Sequence, residues 1–347
     1  MAIYINGRYL LQPQTGVNRF AYELTKAMVG NGVDLVVVCP NGKIHADYDI
    51  STFPIRRCGF GKSHFWEQLI LPFYFLFKRD ILVNFTSLGP LFIRRKVMTI
   101  HDLAFYENPK WYSKSYVWFY KIMTPLCAKT SKCILTVSEF SKKEIHRYLG
   151  VPKDKIHVIY NAVADKFKHR EQGILVNRYI LAVSTMDPRK NFRRLVDAFI
   201  GWENTLNAQL YLVGGRNSIF TETSIAENPN IRWLGRVSDE ELVKLYQGAT
   251  CFIYPSLYEG FGIPPLEAMS SGSPVIVSDI QPLREVCGDA AIYIDPMDVH
   301  SIRAALSQIV DNEKLRDALI IKGCERLKLF TWTKSAKKLT ALISALS

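Results

Sequence analysis

Two carboxylates, Glu259 and Glu267, stand eight positions apart in the stretch YEGFGIPPLEAMSSGSPVI (258–276). Between them lie Gly260 and Gly262 and the pair Pro264–Pro265. Glycines at such a corner let a ligand approach the main chain. Two prolines fit the first turn of a helix, where a missing N–H costs nothing. Upstream, CFIYPS (251–256) is a short apolar run with the length of a buried strand. Downstream, LEAMSSG contains good helix formers, and Gly272 falls where a helix would stop. A helix start delivered by a glycine loop from the end of a parallel strand is an anion site. Carboxylates beside a bound phosphate are unfavourable unless they grip something else, such as hydroxyl groups. Phosphate flanked by hydroxyls is the chemistry of a sugar nucleotide. Taken alone, the same residues also describe an ordinary βαβ corner with a surface glutamate and a capping one.

Cations and a histidine recur in comparable places. Arg189 and Lys190 follow the apolar run YILAVS (179–184) and precede a helical pattern. Positive charge at a helix start is unfavourable without an anion to meet it, and fixed cations there can neutralise a diphosphate leaving group. His101 and Asp102 end the run KVMTI (96–100), at a strand's carboxyl end, where parallel sheets place their ligands. Asp47-Tyr48-Asp49 has the form of a metal-binding acidic pair but lies in a polar loop with no third ligand nearby. The seven histidines form no metal-binding pattern, so no metal is expected.

The elements that must position these residues alternate along the whole chain. Strands are expected over 2–5, 33–39, 81–85, 96–100, 133–138 and 157–160, with helices over 17–30, 64–78, 115–130 and 139–149, the last capped by Ser138. The second half repeats the habit. Its strands are 179–184, 208–214, 231–235, 251–256, 274–279 and 290–295, and its helices 191–202, 239–247, 264–271, 299–310 and 313–328. Such alternation predicts an α/β protein with two doubly wound, Rossmann-like domains facing across a cleft. The expected division is 1–168 and 169–330, each a Rossmann-like domain, joined through 165–177. A C-terminal helix over 331–347 is expected to pack back on the first.

Composition narrows the class. At 347 residues, 48% hydrophobic and 22% charged, the chain reads as a soluble globular protein. Its longest apolar run, LILPFYFLF (69–77), is nine residues and interrupted by a proline, far short of a membrane span. The chain opens on an apolar strand without a secretory leader, and seven cysteines with no C-x-x-C read as reduced core thiols of a cytoplasmic protein. The net charge of +12 is segregated: residues 1–170 carry 25 Lys and Arg against 12 Asp and Glu, or +13, leaving 19 against 20 for the rest. An anionic partner for the first half follows.

With these residues placed, the chain resembles the retaining glycosyltransferases of family 4, which have the two-domain GT-B fold. The signature is a pair of glutamates separated by seven residues, here Glu259 and Glu267, with GFGIPPLEAM inside it and SSGSPVIVSD after it. AVSTMDPRKNFRRLVDAF (182–199), IRWLGRVSDEELVKLYQGA (231–249), TGVNRF (15–20) and TIHDLAF (99–105) resemble the family in order and spacing. The likeness leans toward the branch that builds bacterial surface polysaccharides such as lipopolysaccharide with mannose- or rhamnose-like donors. It implies that Lys190 holds the donor phosphates, Glu267 the ribose, and Glu259 the hydroxyls of the transferring sugar. It further implies backbone contacts from Gly260, Phe261, Gly262 and Ile263, a base resting near Val237, and Gly16 approaching the phosphate from the other domain. His101 would touch the donor sugar near the reacting groups, so that Glu259, His101 and Lys190 form the catalytic set. Where the family often has an arginine, this chain reads Ser184-Thr185, which leaves Arg189 as substitute or bystander.

The expected activity is metal-independent, retaining hexosyl transfer with no cofactor, from a GDP-, UDP- or dTDP-linked sugar to a glycan or lipid-linked glycan. Other readings are a sugar-nucleotide or nucleic-acid binding protein without turnover, or an epimerase or phosphorylase of the same fold. Nucleic acid is not an expected partner, because no nucleic-acid motif accompanies the charge and both glutamates would be pointless there. The basic, aromatic stretches 64–80, 94–96 and 110–121 predict docking of the first domain on the anionic inner face of the cell membrane.

Overall fold

Apolar runs bounded by Gly, Pro, Asn and Asp become the strands of two parallel sheets, as in the computed structural model, which describes residues 2–61, 63–167, 177–203, 207–215 and 228–346. The chain divides into two compact units. One comprises Met1–Tyr106, Trp118–Asn161 and Thr331–Ser347; the other comprises Glu107–Val117 and Ala162–Phe330. The division thus falls after Asn161, before the expected break at 168, and Glu107–Val117 group with the second unit. Most of the expected join, 168–176, lies outside the described residues.

The first unit contains β1 (Ile3–Asn6), β2 (Leu35–Cys39), β3 (Ile55–Arg57), β4 (Ile81–Asn84), β5 (Lys96–Thr99), β6 (Cys133–Thr136) and β7 (Ile156–Val158). They form one seven-stranded sheet in the order β3-β2-β1-β4-β5-β6-β7, each pair parallel. The order reverses between β1 and β4, where Ile3, Tyr4 and Ile5 register with Ile81, Leu82 and Val83. Central strands such as β4, β5 and β6 are buried along their whole length, as a sheet covered on both faces requires. Edge strand β3 has one half-buried and two exposed residues; its Ile-Arg-Arg sequence carries too short an apolar signal to have been expected. Helix Glu139–Leu149 starts where Ser138 accepts from the Ser141 N–H and stops at Gly150, which is left-handed at φ 63°. Helix Trp332–Ala345 belongs to this unit: Trp332 meets Phe20 of helix Gly16–Gly30 edge-on at 5.9 Å, and Ser335 donates to the Tyr160 carbonyl.

The second unit contains β8 (Asn177–Val183), β9 (Gln209–Val213), β10 (Ile231–Gly235), β11 (Ala249–Tyr254), β12 (Val275–Ser278) and β13 (Ala291–Ile294). Their order is β10-β9-β8-β11-β12-β13, again all parallel, with the reversal between β8 and β11. The core gathers Leu195 and Phe199 of helix Phe192–Ile200, Leu306 of helix Val299–Val310, and inward residues of the sheet such as Ile253 and Ile276. An unexpected helix, Gln281–Cys287, follows β12. Pro282 occupies its first turn, where the absent N–H breaks no bond. All seven cysteines are free thiols, five of them buried.

Candidate functional site

Strand order determines where a ligand can be met in the second unit. β8 and β11 are neighbours at the reversal, so the loops that leave their carboxyl ends diverge to opposite faces and open a crevice. The loop after β8 carries Asp187, Arg189 and Lys190; the loop after β11 carries Glu259. Tyr254 is the last residue of β11. Far apart in sequence, these residues converge. Lys190 Nζ lies 2.6 Å from Glu259 Oε1 and donates to the Tyr254 hydroxyl at 2.8 Å. Lys190 is 7% exposed and Glu259 7%.

The electrostatics follow from that burial. Desolvation alone would push the Glu259 carboxyl up, but the Lys190 ammonium and Arg189 guanidinium beside it hold the carboxyl below its ordinary value. Burial pulls the Lys190 ammonium down, and Glu259 opposes the shift. Burial first, and the Glu259 charge second, raise Tyr254 well above a normal phenol, so it stays neutral. An ammonium has three protons to donate, and two are spent on Glu259 and Tyr254, which leaves capacity for one further acceptor. Glu259 likewise retains acceptor capacity, since a carboxylate can accept about four hydrogen bonds. A cation able to take an anion and a carboxylate able to take hydroxyls are thus side by side.

Backbone devices hold the two loops in place. Asp187 accepts from the Arg189 N–H at 3.0 Å and pairs with the Arg189 guanidinium at 2.7 Å. Arg189 is therefore oriented by Asp187, while its carbonyl accepts from the Leu257 N–H at 2.7 Å and ties one loop to the other. Asn191 is left-handed at φ 61°, and its amide donates to the Pro255 and Pro296 carbonyls. Sequence reading missed Asp187, Asn191 and Tyr254. The first had a signal in Asp-Pro, a helix-initiating pair; the other two act through residues distant in sequence.

Helix Ile263–Ser270 begins at Gly262, whose φ of 102° is closed to ordinary residues, and no side chain caps it. A Cβ there would meet Leu283 Cδ2 at 2.5 Å. Pro264 and Pro265 lack N–H groups, so the N–H groups at this helix end are those of Gly262 and Ile263. Gly260 turns the chain just before, and Phe261 is anchored by an edge-on contact of 5.6 Å with Phe330. Glu267 is buried within the helix and accepts from the Tyr246 hydroxyl at 3.2 Å. Val237 lines a separate groove of about 840 Å³ together with Tyr179, Tyr211 and Lys244. Among the described residues, no group of three or more His, Cys, Asp or Glu side chains is placed to hold a metal ion.

His101 and Gly16 belong to the first unit. His101 follows β5, and its Nε2 lies 2.8 Å from the Phe85 carbonyl, which requires the proton on that nitrogen. Burial holds the ring's pKa below 6.5, so it is neutral at physiological pH. Gly16 is the first residue of helix Gly16–Gly30, with open space where a Cβ would point. At the reversal of this sheet the sequence concealed a polar cluster. Glu67, fully buried, accepts from Asn6 at 2.6 Å and lies 3.5 Å from Arg8 and 3.2 Å from His64. Asn6 also donates to Asn84 at 2.6 Å, so the ends of β1 and β4 are joined through side chains.

Comparison with known proteins identifies the family and the fold. Residues 164–326 match the profile of "Glycosyl transferases group 1", and residues 14–167 that of "Glycosyltransferase Family 4". The chain is 34% identical over 268 residues to O-antigen chain mannosyltransferase B of Escherichia coli, covering 69% of this chain and 68% of that protein. It is 34% identical over 236 residues to O-antigen chain mannosyltransferase RfbU of Salmonella typhimurium, covering 65% of this chain and 63% of its relative. Among solved structures, a sucrose-phosphate synthase from Thermosynechococcus elongatus superposes with a TM-score of 0.77 at 16% identity, covering 99% of this chain and 98% of that one. Anabaena HepE, solved with UDP and glucose, superposes with a TM-score of 0.75 at 14% identity and 99% coverage of both chains. The two parallel-sheet domains are those of the GT-B fold.

Proposed function

Since the chain belongs to glycosyltransferase family 4, we propose that it moves a hexose, with mannose the first choice, from a nucleoside-diphosphate sugar to a glycan or lipid-linked glycan in surface-polysaccharide synthesis. The observation that carries this reading is the buried Lys190–Glu259–Tyr254 cluster at the reversal point of the second sheet. The choice of mannose is supported by the names of the relatives.

In this reading the glycosidic C–O bond of the donor breaks first, and its electron pair passes to the leaving diphosphate oxygen. Lys190 neutralises that charge together with the N-terminus of helix Ile263–Ser270, and no metal is needed. Glu259 orients the hydroxyls of the sugar as its ring approaches an oxocarbenium ion. Glu267 holds the ribose, and Gly260, Phe261, Gly262 and Ile263 offer main-chain contacts. The base is assigned to the main chain near Val237 by the family resemblance alone. Arg189 stiffens the phosphate loop through Asp187. The acceptor hydroxyl attacks the face the leaving group vacates, loses its proton to the departing phosphate, and retains the anomeric configuration. The protein works at the inner face of the cell membrane, where its basic first half meets anionic lipid.

Screening GDP-, UDP- and dTDP-sugars for thermal protection, then following turnover of the best binder with EDTA present, tests this reading. Transfer that survives EDTA and is lost in Glu259→Ala supports it. Full transfer by a folded Glu259→Ala protein, or a strict need for added divalent metal, contradicts it. Salt-sensitive binding of nucleic acid without sugar-nucleotide binding would favour the non-catalytic alternative.

A further inference from the structure

The apolar run 69–77 looks in sequence like the buried body of a helix, and the structure divides it. The helical run begins at Ser63, passes through a π-helical turn over Trp66–Ile70, and ends at Phe75. Pro72 can donate no bond to the preceding turn, and the wider π turn accommodates it there. Trp66, Leu71 and Phe75 face inward, packing with Tyr4, Leu82 and Ile93. Phe65, Leu69, Phe73 and Phe77 recur at four-residue spacing on the other side and are exposed, Phe73 to 74% and Phe77 to 94%. Phe92, in the loop before β5, is 73% exposed. Single exposed apolar residues need no explanation, but a contiguous face does.

A groove of about 540 Å³ lies in this face, lined by Leu69, Pro72, Phe73 and Leu76 on one side and by Phe92 and Ile93 on the other. Its rim is basic: Lys78, Arg94 and Arg95 border it, and Arg79 is exposed nearby. The Lys78 ammonium sits over the Tyr74 ring at 4.8 Å, and Arg95 donates to the Arg79 carbonyl, while Arg94 extends into solvent. The one acid at the rim, Asp80, accepts from the Ala2 N–H. Helix Lys114–Thr130 adds Trp118, Ile122 and Leu126, exposed at four-residue spacing; it adjoins the run through Phe119, whose ring lies 5.5 Å from that of His64.

We propose that the outward face of this helical run, with Phe92, inserts into the acyl region of an anionic phospholipid bilayer, and that its groove holds one acyl chain. The inference deepens the docking reading above, on which it rests, by replacing attraction at a distance with insertion of named side chains. Charge decides between occupants. A second copy of this chain would bring two halves of +13 together, whereas anionic head groups complement the rim. Aromatic side chains beside Lys and Arg form the pattern of an interfacial segment, and among the described residues no helix is long and apolar enough to span a membrane.

The test is co-sedimentation of the whole protein with vesicles of neutral phosphatidylcholine and of the same lipid mixed with phosphatidylglycerol. Phe73→Ser, Phe77→Ser and Phe92→Ser alter exposed positions and leave the core intact. Each is expected to lower partitioning about tenfold, the scale of transferring one such side chain from water. Arg94→Gln with Arg95→Gln should weaken the preference for anionic vesicles and reduce its salt sensitivity. A Phe77→Trp protein should be quenched by lipids brominated on the acyl chain. Turnover on a lipid-free acceptor should be unchanged in the serine variants, which separates this inference from the catalytic reading. Equal sedimentation of wild type and the triple serine variant overturns insertion while leaving electrostatic docking standing. Absence of binding to any vesicle overturns both. A wild-type dimer that the serine substitutions dissociate, without vesicle binding, would assign the face to self-association instead.

Discussion

The Lys190–Glu259 pair should behave as one unit, and removing either half should cost more than removing both. The two side chains are 8% and 9% exposed and lie 2.6 Å apart. Leaving one buried charge without its partner costs about 3–5 kcal/mol, while replacing both with neutral groups of similar volume is often near neutral. At about 2–4 °C per kcal/mol for a domain of this size, Lys190→Met or Glu259→Gln should lower the melting transition of the second unit by roughly 10 °C. The double variant Lys190→Met/Glu259→Gln should recover most of that loss. The same pair makes stability pH-dependent. The carboxyl of Glu259 lies below its ordinary value of 4.5, so its contribution is complete above that pH and is lost as pH falls through the folded value. Scanning calorimetry of the four proteins at neutral pH closes the cycle. If both single variants melt within about 2 °C of wild type, the pair is solvated rather than buried, and the electrostatic argument for the site fails. Because the single variants lose stability, their turnover has to be compared below their own transitions. A deficit that persists there reports chemistry.

Glu267→Ala should weaken sugar-nucleotide binding by roughly ten- to a hundredfold, the scale of a hydrogen bond to a charged group. Tyr246→Phe, which removes the 3.2 Å bond to Glu267 but keeps the carboxylate, should cost less, and calorimetric titration with the donor distinguishes them. His101 should titrate below 6.5 by NMR, because burial favours the neutral ring. Its contribution to stability is therefore full above 6.5 and lost as pH falls through the folded value, and a midpoint above 6.5 would contradict this. Gly262→Ala should cost roughly 1–3 kcal/mol in thermal unfolding, since φ is 102° and the new Cβ meets Leu283. Gly16→Ala, with open space at its Cβ, should stay within about 0.5 kcal/mol of wild type in the same measurement.

Much of this was legible without coordinates, for identifiable reasons. Strands such as β11 and β12 are continuous apolar runs because both faces of a parallel sheet are covered, and helix starts such as Ser138 announce themselves by local capping chemistry. Such features depend on residues a few positions apart, so the sequence by itself determined the two α/β halves, the loop of Glu259 and the helix of Glu267. Lys190, Glu259 and Tyr254 were another matter. Their side chains meet only because β8 and β11, separated by β9 and β10 in the chain, lie side by side in the sheet. No local pattern records that adjacency. The same holds for Glu67, whose partners Asn6 and Arg8 arrive from the far end of β1. It holds again for the run 69–77, where apolar composition shows that surface will be hidden but not from which side. Only tertiary packing decided that Leu71 and Phe75 fill the core while Phe73 and Phe77 stay outside, because helical rotation points residues two apart in one uniform sequence to opposite faces with different environments.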